Sequence, residues 1–394
     1  MREGYQKTVK TGLEASLVLI FFSLPLPSAW GSISFSLGVI FLLCIRYGLQ
    51  EVDHGFRNIP PLTFPVIFYV GAVLLAAVLG INPRNSFTHA DNLYRILYAY
   101  LLFSALNTVA TLPKMLLAFG VTATLDALYA LTPVAGTVAF RVKGFSWHPN
   151  ILASMMVCML LFNVVFLLFY PLERRHKIML SLSGIFLLTA LMMTQSRGAL
   201  IGFVATLMVV SLYVDWKKAM LVGGCLLLLF LIQPSHLKAR QISSFDAGTS
   251  GGRPVIWENS IEIIRDYPWG IGQDNFAEKF LQYAKKDIES GTIQAQTHAH
   301  NNLLQIQAEF GFLGLFSYLW IWKTILVYCV KTINLLKTVV SRRFEYLFLV
   351  ATFAYFFAFH VAGLFDFNWG FPATSIAVWS LVGIAFWIGE RKET

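Results

Sequence analysis

The chain has 394 residues, of which 57% are hydrophobic and only 13% are charged, and its mean hydropathy is +0.64. Soluble domains are close to half apolar and a quarter charged, so this composition excludes an ordinary soluble enzyme and indicates a membrane protein. The net charge of +9 does not indicate a nucleic-acid partner, because the basic residues stand in short clusters between apolar runs, as topology signals do.

The apolar runs predict an all-α polytopic membrane protein with about twelve transmembrane helices, since each span needs about 20 apolar residues. In chain order the predicted spans are 13–27, 30–48, 60–80, 93–111, 114–136, 150–170, 178–194, 198–214, 219–233, 309–330, 345–364 and 373–389. They form a single integral membrane domain over residues 1–394. The first apolar run continues the multi-span pattern, which is not typical of a cleaved signal peptide.

The distribution of basic residues predicts the orientation. With the N-terminus in the cytoplasm, the cytoplasmic segments hold seventeen Lys and Arg residues, and the short loops of the opposite face hold Arg84, Arg95, Arg141, Lys143 and Arg197. Basic loops remain on the cytoplasmic side. Both termini are therefore predicted to be cytoplasmic.

Residues 234–300, between spans nine and ten, form a polar insertion on the outer face that is far longer than an ordinary connection. In RPVIWENSIEIIRDYPWGIG, Pro254 suits a first helical turn, and apolar residues recur at helical spacing up to Pro268 and Gly270. We expect an amphipathic helix that lies at the membrane surface or covers a cavity. NFAEKFLQYAKK predicts a second such helix.

The polar residues that could carry chemistry all belong to outer-face segments, so the topology allows them to converge. They are Arg141 and Lys143 in FRVKGFSWHPN, Arg197 in TQSRG, Arg253 and Arg265 at the two ends of the amphipathic helix, His298, His300 and Asn301 before span ten, and Asp366 in DFNWG.

Two interpretations of the arginines remain open. Arg197 lies in a hairpin with almost no loop, so its guanidinium is either an interfacial group that reaches toward water or part of an anion site. Arg253 is either a solvated loop residue or a phosphate ligand, because the preceding glycines permit close approach and a helix N-terminus follows. A guanidinium offers phosphate a planar, bidentate contact.

A helix over residues 300–314 would place His300, Gln307, Gly311 and Gly314 on one stripe, with an imidazole at its outer end. Without further context, a single histidine there is either an interfacial hydrogen-bonding residue or a base. No metal site is predicted, because Glu309 lies on the opposite side of that helix from His300. Cations beside a neutral imidazole and an apolar groove instead suit a lipid diphosphate donor, with diphosphate as the leaving group.

The segment from His300-Asn301 to Gly311-Phe-Leu-Gly314 resembles the His-[Asn/Ser/Gln]-x9-Gly-x-x-Gly pattern of the bacterial O-antigen ligases. TQSRG, GGRPVIW and PWGIGQDNF also resemble that ligase and polymerase superfamily. Together with the predicted spans and the large loop before the histidine, the resemblance covers most of the chain.

The resemblance implies a metal-independent, inverting glycosyltransferase of the GT-C type in the bacterial inner membrane, without a cofactor and with its active site facing the periplasm. Its partners would be membrane lipids, undecaprenyl diphosphate-linked O-antigen as donor and lipid A–core as acceptor, in lipopolysaccharide biosynthesis. On the family pattern, Arg197 and Arg253 bind the diphosphate and His300 activates the acceptor hydroxyl. The second-rank candidates are Arg141, Lys143, Arg265, His298, Asn301 and Asp366.

Three alternatives stay open. An O-antigen polymerase of the same superfamily would use another lipid-linked glycan as acceptor, and a third type of member attaches glycans to protein serines or threonines. A flippase or exporter for lipid-linked glycans is the non-enzyme alternative. Charged residues are scarce within the predicted spans, with Lys323 as the main exception, which favours an enzyme over a transporter.

Overall fold

The computed structural model describes residues 2–49, 56–132, 137–138, 141–214 and 252–391. The helices among these residues are α1 (Arg2–Ser23), α2 (Ser28–Leu43), α3 (Pro60–Leu79), α4 (Pro83–His89), α5 (Leu97–Ala105), α6 (Thr111–Ala130), α7 (Pro149–Phe169), α8 (Arg174–Met193), α9 (Arg197–Val214), α10 (Arg253–Asp266), α11 (Phe276–Tyr283), α12 (Lys285–Glu289), α13 (Asn302–Leu336), α14 (Arg343–Gly363) and α15 (Pro372–Glu390). A π-helical turn (Cys44–Gly48) follows α2, and 3-10 turns (Ala90–Ile96 and Val340–Arg342) precede α5 and α14. Strands β1 (Thr137–Val138) and β2 (Arg141–Val142) pair antiparallel.

Proline begins several of these helices. Pro60, Pro83, Pro149, Pro254 and Pro372 all lie in a first helical turn, where the missing N–H has no intrahelical partner to lose. The helix predicted to start near Pro254 is confirmed as α10, and the predicted second helix of the insertion corresponds to α11 and α12.

Eight helices within the described ranges are long and apolar enough to cross a membrane, as expected of an all-α polytopic membrane protein. They correspond to predicted spans 30–48, 60–80, 114–136, 150–170, 178–194, 309–330, 345–364 and 373–389. Predicted spans 13–27 and 198–214 lie in α1 and α9, which are helical but not among the eight, and span 93–111 contains only the nine-residue α5. The span at 219–233 and residues 234–251 of the insertion lie outside the described residues. The count of twelve and the sidedness stay predictions.

The most enclosed membrane helices of the described residues are α15, then α7, then α14. α14 packs against α7 and α9, α15 against α5, and α13 against α3. All residues of α15 from Ala373 to Ile388 are buried. Helices α2 and α8 are mostly exposed and lie at the periphery.

Helix α13 is broken at Gly311, whose φ and ψ are 66° and −168°. Residues 268–272 lie in the break: Phe312 N–H donates to the Pro268 carbonyl, and Ile271 N–H donates to the Ala308 carbonyl. A Cβ at Gly311 would lie 2.4 Å from the Trp269 carbonyl carbon, so only glycine fits. The segment PWGIG is thus anchored in the membrane helix that follows it in sequence.

Helices α10 and α11 share a small hydrophobic core over the first turns of α13. Its buried members include Ile256, Ile263, Phe276, Phe280 and Ala308. This core, separate from the main core, holds the insertion against one end of the bundle.

Candidate functional site

One end of the bundle encloses a cavity of about 260 Å³ that reaches between α7, α9 and α14. Arg141, Arg197, Arg253, His300 and Asp366 line it, although they belong to separate segments of the chain. We call this space the arginine cavity. Arg197, Arg253 and His300, which the predicted topology allows to converge, therefore line one cavity.

Arg197 is half-buried at the start of α9. Behind it α9 packs closely on α14, because Cβ atoms at Gly198 and Gly202 would lie 3.1 Å and 2.7 Å from the carbonyl oxygens of Ala362 and Ala358. Such small residues four apart allow two membrane helices to approach closely. This packing fixes the position of Arg197 at the rim of the cavity.

Arg253 reaches the arginine cavity from the insertion, as the first residue of α10. Gly252 before it has φ 73°, and a Cβ there would lie 2.3 Å from Cγ2 of Ile293. Burial lowers the pKa of the Arg253 guanidinium, whereas the nearby Asp366 raises it. Because a guanidinium does not lose its proton in proteins, Arg253 supplies a half-buried positive charge at a helix N-terminus.

Arg141 is the third guanidinium of the cavity and is held by defined contacts. Its Nε donates to the Thr194 carbonyl oxygen over 2.7 Å, and its Nη2 donates to Oδ1 of Asn150. Nδ2 of Asn150 in turn donates to Oδ2 of Asp366. Asn150 therefore links a cation of the cavity to its carboxylate.

The turn that carries the two histidines is fixed through the residue between them. Ala299 is fully buried; its N–H donates to Oε1 of Gln305 over 2.7 Å, and its carbonyl accepts from Nε1 of Trp257 over 3.1 Å. His298 and His300 flank this anchored residue, and their ring centroids are 4.3 Å apart.

Asp366 joins both histidines. Its Oδ1 lies 3.0 Å from Nδ1 of His300 and 3.5 Å from Nε2 of His298, the second being an ion-pair contact without hydrogen-bond alignment. Burial alone raises the pKa of Asp366, but the contacts with the two imidazoles bring the pKa well below its ordinary value. The carboxylate therefore stays charged.

The DFNWG loop positions Asp366 through its own hydrogen bonds to the bundle. Nδ2 of Asn302 donates to Oδ1 of Asn368 over 2.6 Å, and Nδ2 of Asn368 donates to the Phe359 carbonyl over 2.8 Å. The loop is thus tied to the start of α13 and to the end of α14.

The second nitrogen of His300 points away from the carboxylate. Its Nε2 lies 3.0 Å from the side-chain amide of Gln296. The atom nearest to Nε2 is Oε1 of Gln296, an acceptor. When Nδ1 donates to Asp366, a 180° turn of the Gln296 amide would bring an N–H to the lone pair of Nε2. This arrangement leaves Nε2 as the nitrogen that can receive a proton.

Backbone strain is concentrated at this end of the molecule. Among the described residues, positive φ occurs outside glycine only at Trp147, Gln195, Asp274 and His300. Gln195 and His300 line the arginine cavity. Such conformations cost about 1–3 kcal/mol each and persist where surrounding contacts impose them, often at functional sites.

Three predicted candidates lie elsewhere or act locally. Lys143 stacks over the ring of Trp147, 4.7 Å from its centroid, and Arg265 is exposed at the far end of α10; neither lines the arginine cavity. Asn301 is the N-cap of α13, and its Oδ1 accepts from the N–H groups of Leu303 and Leu304.

The predicted stripe over residues 300–314 is wrong. His300 has φ 50° and lies outside the helix, because Asn301 caps α13 at the next residue, and Gly311 is not helical. The small residue Gly311 admits the backbone of residues 268–272, where the sequence suggested a neighbouring helix or a lipid tail.

His298, His300 and Asp366 also have donor atoms within 4.8 Å of one another, a spacing that could hold a metal ion. Glu309, considered with the histidines at the sequence level, instead accepts from the Asp274 N–H over 3.0 Å. Three ligands of this kind resemble an open zinc site. The metal-independent mechanism therefore stays a prediction and needs a direct test.

Sequence reasoning missed Asn150, Gln296 and Gln195, which contact or neighbour the candidate residues. Asn150 lies in FRVKGFSWHPN, the motif that contains Arg141. Its closeness in sequence to a candidate arginine could have identified it as a site residue. Gln296 lies four residues before His300, outside any regular helix, and no pattern marks it.

Residues 182–319 match the family model described as O-Antigen ligase. The match includes Arg197, Arg253 and His300, whereas Arg141 and Asp366 lie outside it. No curated protein matches the chain. The resemblance found in the sequence motifs is thereby confirmed by an independent comparison.

Proposed function

We propose that this member of the O-antigen ligase and polymerase superfamily, a family of glycosyltransferase-like enzymes, is the ligase. It transfers O-antigen polysaccharide from undecaprenyl diphosphate to a sugar hydroxyl of lipid A–core at the periplasmic face of the bacterial inner membrane. The observation that carries the proposal is the shared cavity of Arg197, Arg253 and His300.

The diphosphate of the donor binds in the arginine cavity. Among the described lining residues, Arg141, Arg197 and Arg253 bring three positive charges against one carboxylate, that of Asp366. Negative charge builds on the departing diphosphate as the glycosidic bond breaks, and fixed cations stabilise it. Contacts of about 1.5–3 kcal/mol each make two arginines worth roughly two to four powers of ten in rate.

His300 acts as the base. The acceptor hydroxyl displaces Gln296 from Nε2 of His300 and gives its proton to that nitrogen, while its oxygen bonds to the anomeric carbon. The bond from that carbon to the diphosphate oxygen breaks, and the diphosphate leaves with the electron pair. Asp366, 3.0 Å from Nδ1, stabilises the imidazolium that forms.

A reconstituted transfer assay tests the proposal. Purified protein in lipid nanodiscs, given undecaprenyl diphosphate-linked polysaccharide and lipid A–core, is expected to form a joined product on a lipopolysaccharide gel. Arg197→Ala and His300→Ala abolish the product while the protein still inserts. Arg265→Ala is the matched control, because Arg265 lies on the same helix as Arg253 but outside the cavity.

Wild-type activity in either variant removes that residue from the site. A deletion strain separates ligase from polymerase: free core with accumulated lipid-linked polymer indicates a ligase, and core bearing a single repeat indicates a polymerase. Wild-type lipopolysaccharide in that strain contradicts both.

A further inference from the structure

A second cavity, also of about 260 Å³, lies at the same end of the bundle, beyond the histidine pair. Its walls come from the turn before α5, the segment between α10 and α11, the first turns of α13 and the start of α15. Its polar lining comprises Asn92, Arg95, Gln273, Asp274, Thr297, His298, Gln305, Glu309 and Ser375.

The second cavity is unsuited to a diphosphate. Among the described residues of its lining, Arg95 is the only lysine or arginine, and it is 8% exposed. Arg95 already donates to the Gly370 carbonyl over 3.0 Å and to Asn92. The carboxyl groups of Asp274 and Glu309 line the same space. An anion would therefore meet carboxyl groups and a guanidinium that is already bonded.

The same lining suits a ligand with many hydroxyl groups and apolar C–H faces. Carboxyl and amide groups can accept from or donate to hydroxyls, and Phe367, Phe371 and Trp369 provide aromatic surface beside them. Small-ligand sites typically combine apolar or aromatic walls with oriented polar groups. A saccharide combines these two surfaces.

The two cavities meet at the histidine pair. His300 lines the arginine cavity, His298 lines the second cavity, and both contact the same oxygen of Asp366. The histidine pair thus lies between the two cavities, so a ligand of the second cavity beside His298 would lie one ring away from a ligand of the arginine cavity beside His300.

The wall that carries Asp274 is rigid. Asp274 has φ 60°, its N–H donates to Oε1 of Glu309, and Nε2 of His89 lies 3.3 Å from its Oδ2. Gly272 N–H donates to the Glu309 carbonyl, which ties this segment to α13 beside the break at Gly311. The backbone around Asp274 is thus bonded to α13, whereas the Asp274 side chain is 58% exposed.

We infer that the second cavity is the acceptor subsite and binds the sugar whose hydroxyl is glycosylated. This inference rests on the proposed function, because it assigns to that reaction a separate pocket for its second substrate. Asp274 and Gln273 bind acceptor hydroxyls, and the arginine cavity alone binds the donor.

Kinetics with both substrates test the inference. Asp274→Asn and Gln273→Ala are each expected to raise the KM for acceptor about five- to tenfold, the loss of roughly one hydrogen bond, and to leave the donor KM unchanged. Asn tolerates the positive φ of position 274, so the fold is retained. Glu278→Gln, an exposed acidic residue of α11 that lines neither cavity, is the matched control.

A raised donor KM with an unchanged acceptor KM in these variants overturns the inference. Direct binding of delipidated core oligosaccharide, followed by saturation-transfer NMR, supplies a readout that does not need transfer. The wild type is expected to bind it and Asp274→Asn to bind it at least about fivefold more weakly; no binding, or equal binding, overturns the inference.

The free repeat-unit oligosaccharide, used in the same experiment, identifies the source of the acceptor. Stronger binding of core oligosaccharide supports a ligase, and stronger binding of the repeat unit supports a polymerase subsite with the same saccharide chemistry. If core oligosaccharide binds but undecaprenyl diphosphate-linked polysaccharide is neither bound nor transferred, the proposed function fails and the saccharide subsite remains.

Discussion

The arginine cavity and the second cavity have equal volumes, about 260 Å³ each, and meet at one histidine pair. They differ in chemistry. Three guanidinium groups face Asp366 in the first, whereas Asp274, Glu309 and several amides face Arg95 in the second. The volumes therefore do not distinguish two ligands, but the linings do: the first cavity favours an anion, and the second suits a polyhydroxylated ligand.

The largest effect is expected where the cavities meet. Asp366→Asn removes the carboxylate that contacts both imidazoles, so kcat is expected to fall about 10²-fold while neither KM changes more than about twofold. Steady-state rates measured with varied donor and with varied acceptor check kcat and both KM values.

Partial rescue by Asp366→Glu supports a positioning role for the carboxylate. A large rise in one KM alone contradicts it, because Asp366 would then belong to a single cavity.

Next in size is a change confined to the arginine cavity. Arg253→Ala removes a charge-assisted contact of about 1.5–3 kcal/mol, so kcat/KM for donor falls about 10- to 150-fold. Arg253→Lys keeps the charge without the bidentate geometry. Its kcat/KM for donor is expected to lie between the values of the wild type and of Arg253→Ala. Direct binding of the lipid-linked donor measures the loss, with Arg265→Ala unchanged; an effect limited to acceptor KM contradicts the assignment.

A smaller effect, on stability, tests the segment that forms one wall of the second cavity. Gly311→Ala forces a Cβ against Trp269 and a side chain into a left-handed conformation, at about 1–3 kcal/mol. Thermal unfolding in detergent is expected to occur at lower temperature. Gly184→Ala on α8 is the control, because its Cβ meets nothing within 4 Å. Equal unfolding temperatures of Gly311→Ala and Gly184→Ala would contradict the steric constraint at Gly311.

The smallest expected effect is that of metal removal. EDTA is expected to leave transfer unchanged, because the arginines stabilise the diphosphate and Nε2 of His300 takes the proton. The measurement is the transfer rate before and after chelation, followed by added Zn²⁺. Loss of activity that Zn²⁺ restores assigns His298, His300 and Asp366 to a metal site instead.

Much of this architecture could be predicted from the sequence. Hydrophobic runs mark spans because the bilayer needs about 20 apolar residues, and Pro254 with a helical apolar repeat marked α10. The arginines of TQSRG and GGRP and His300 were selected as candidates because charged or polar groups at the ends of membrane helices are costly unless they have a polar partner, and all three line one cavity. Their roles stay predictions.

What could not be predicted depends on contacts between distant segments. No local sequence pattern indicates that residues 268–272 lie in a break of α13, or that Asn301, and not His300, caps that helix. The second cavity was not predicted for the same reason, because Asn92, Asp274 and Phe371 come together only in the folded chain.

The break in α13 has a mechanical consequence. The turns of α13 around Gly311 are bonded to residues 268–272, whereas the turns that follow pack with the membrane helices. A tilt of the turns after Gly311 would move the bonded loop, together with Asp274, with respect to the turn that holds His298 and His300. A bend of this single helix at Gly311 would therefore change the spacing between the two cavities.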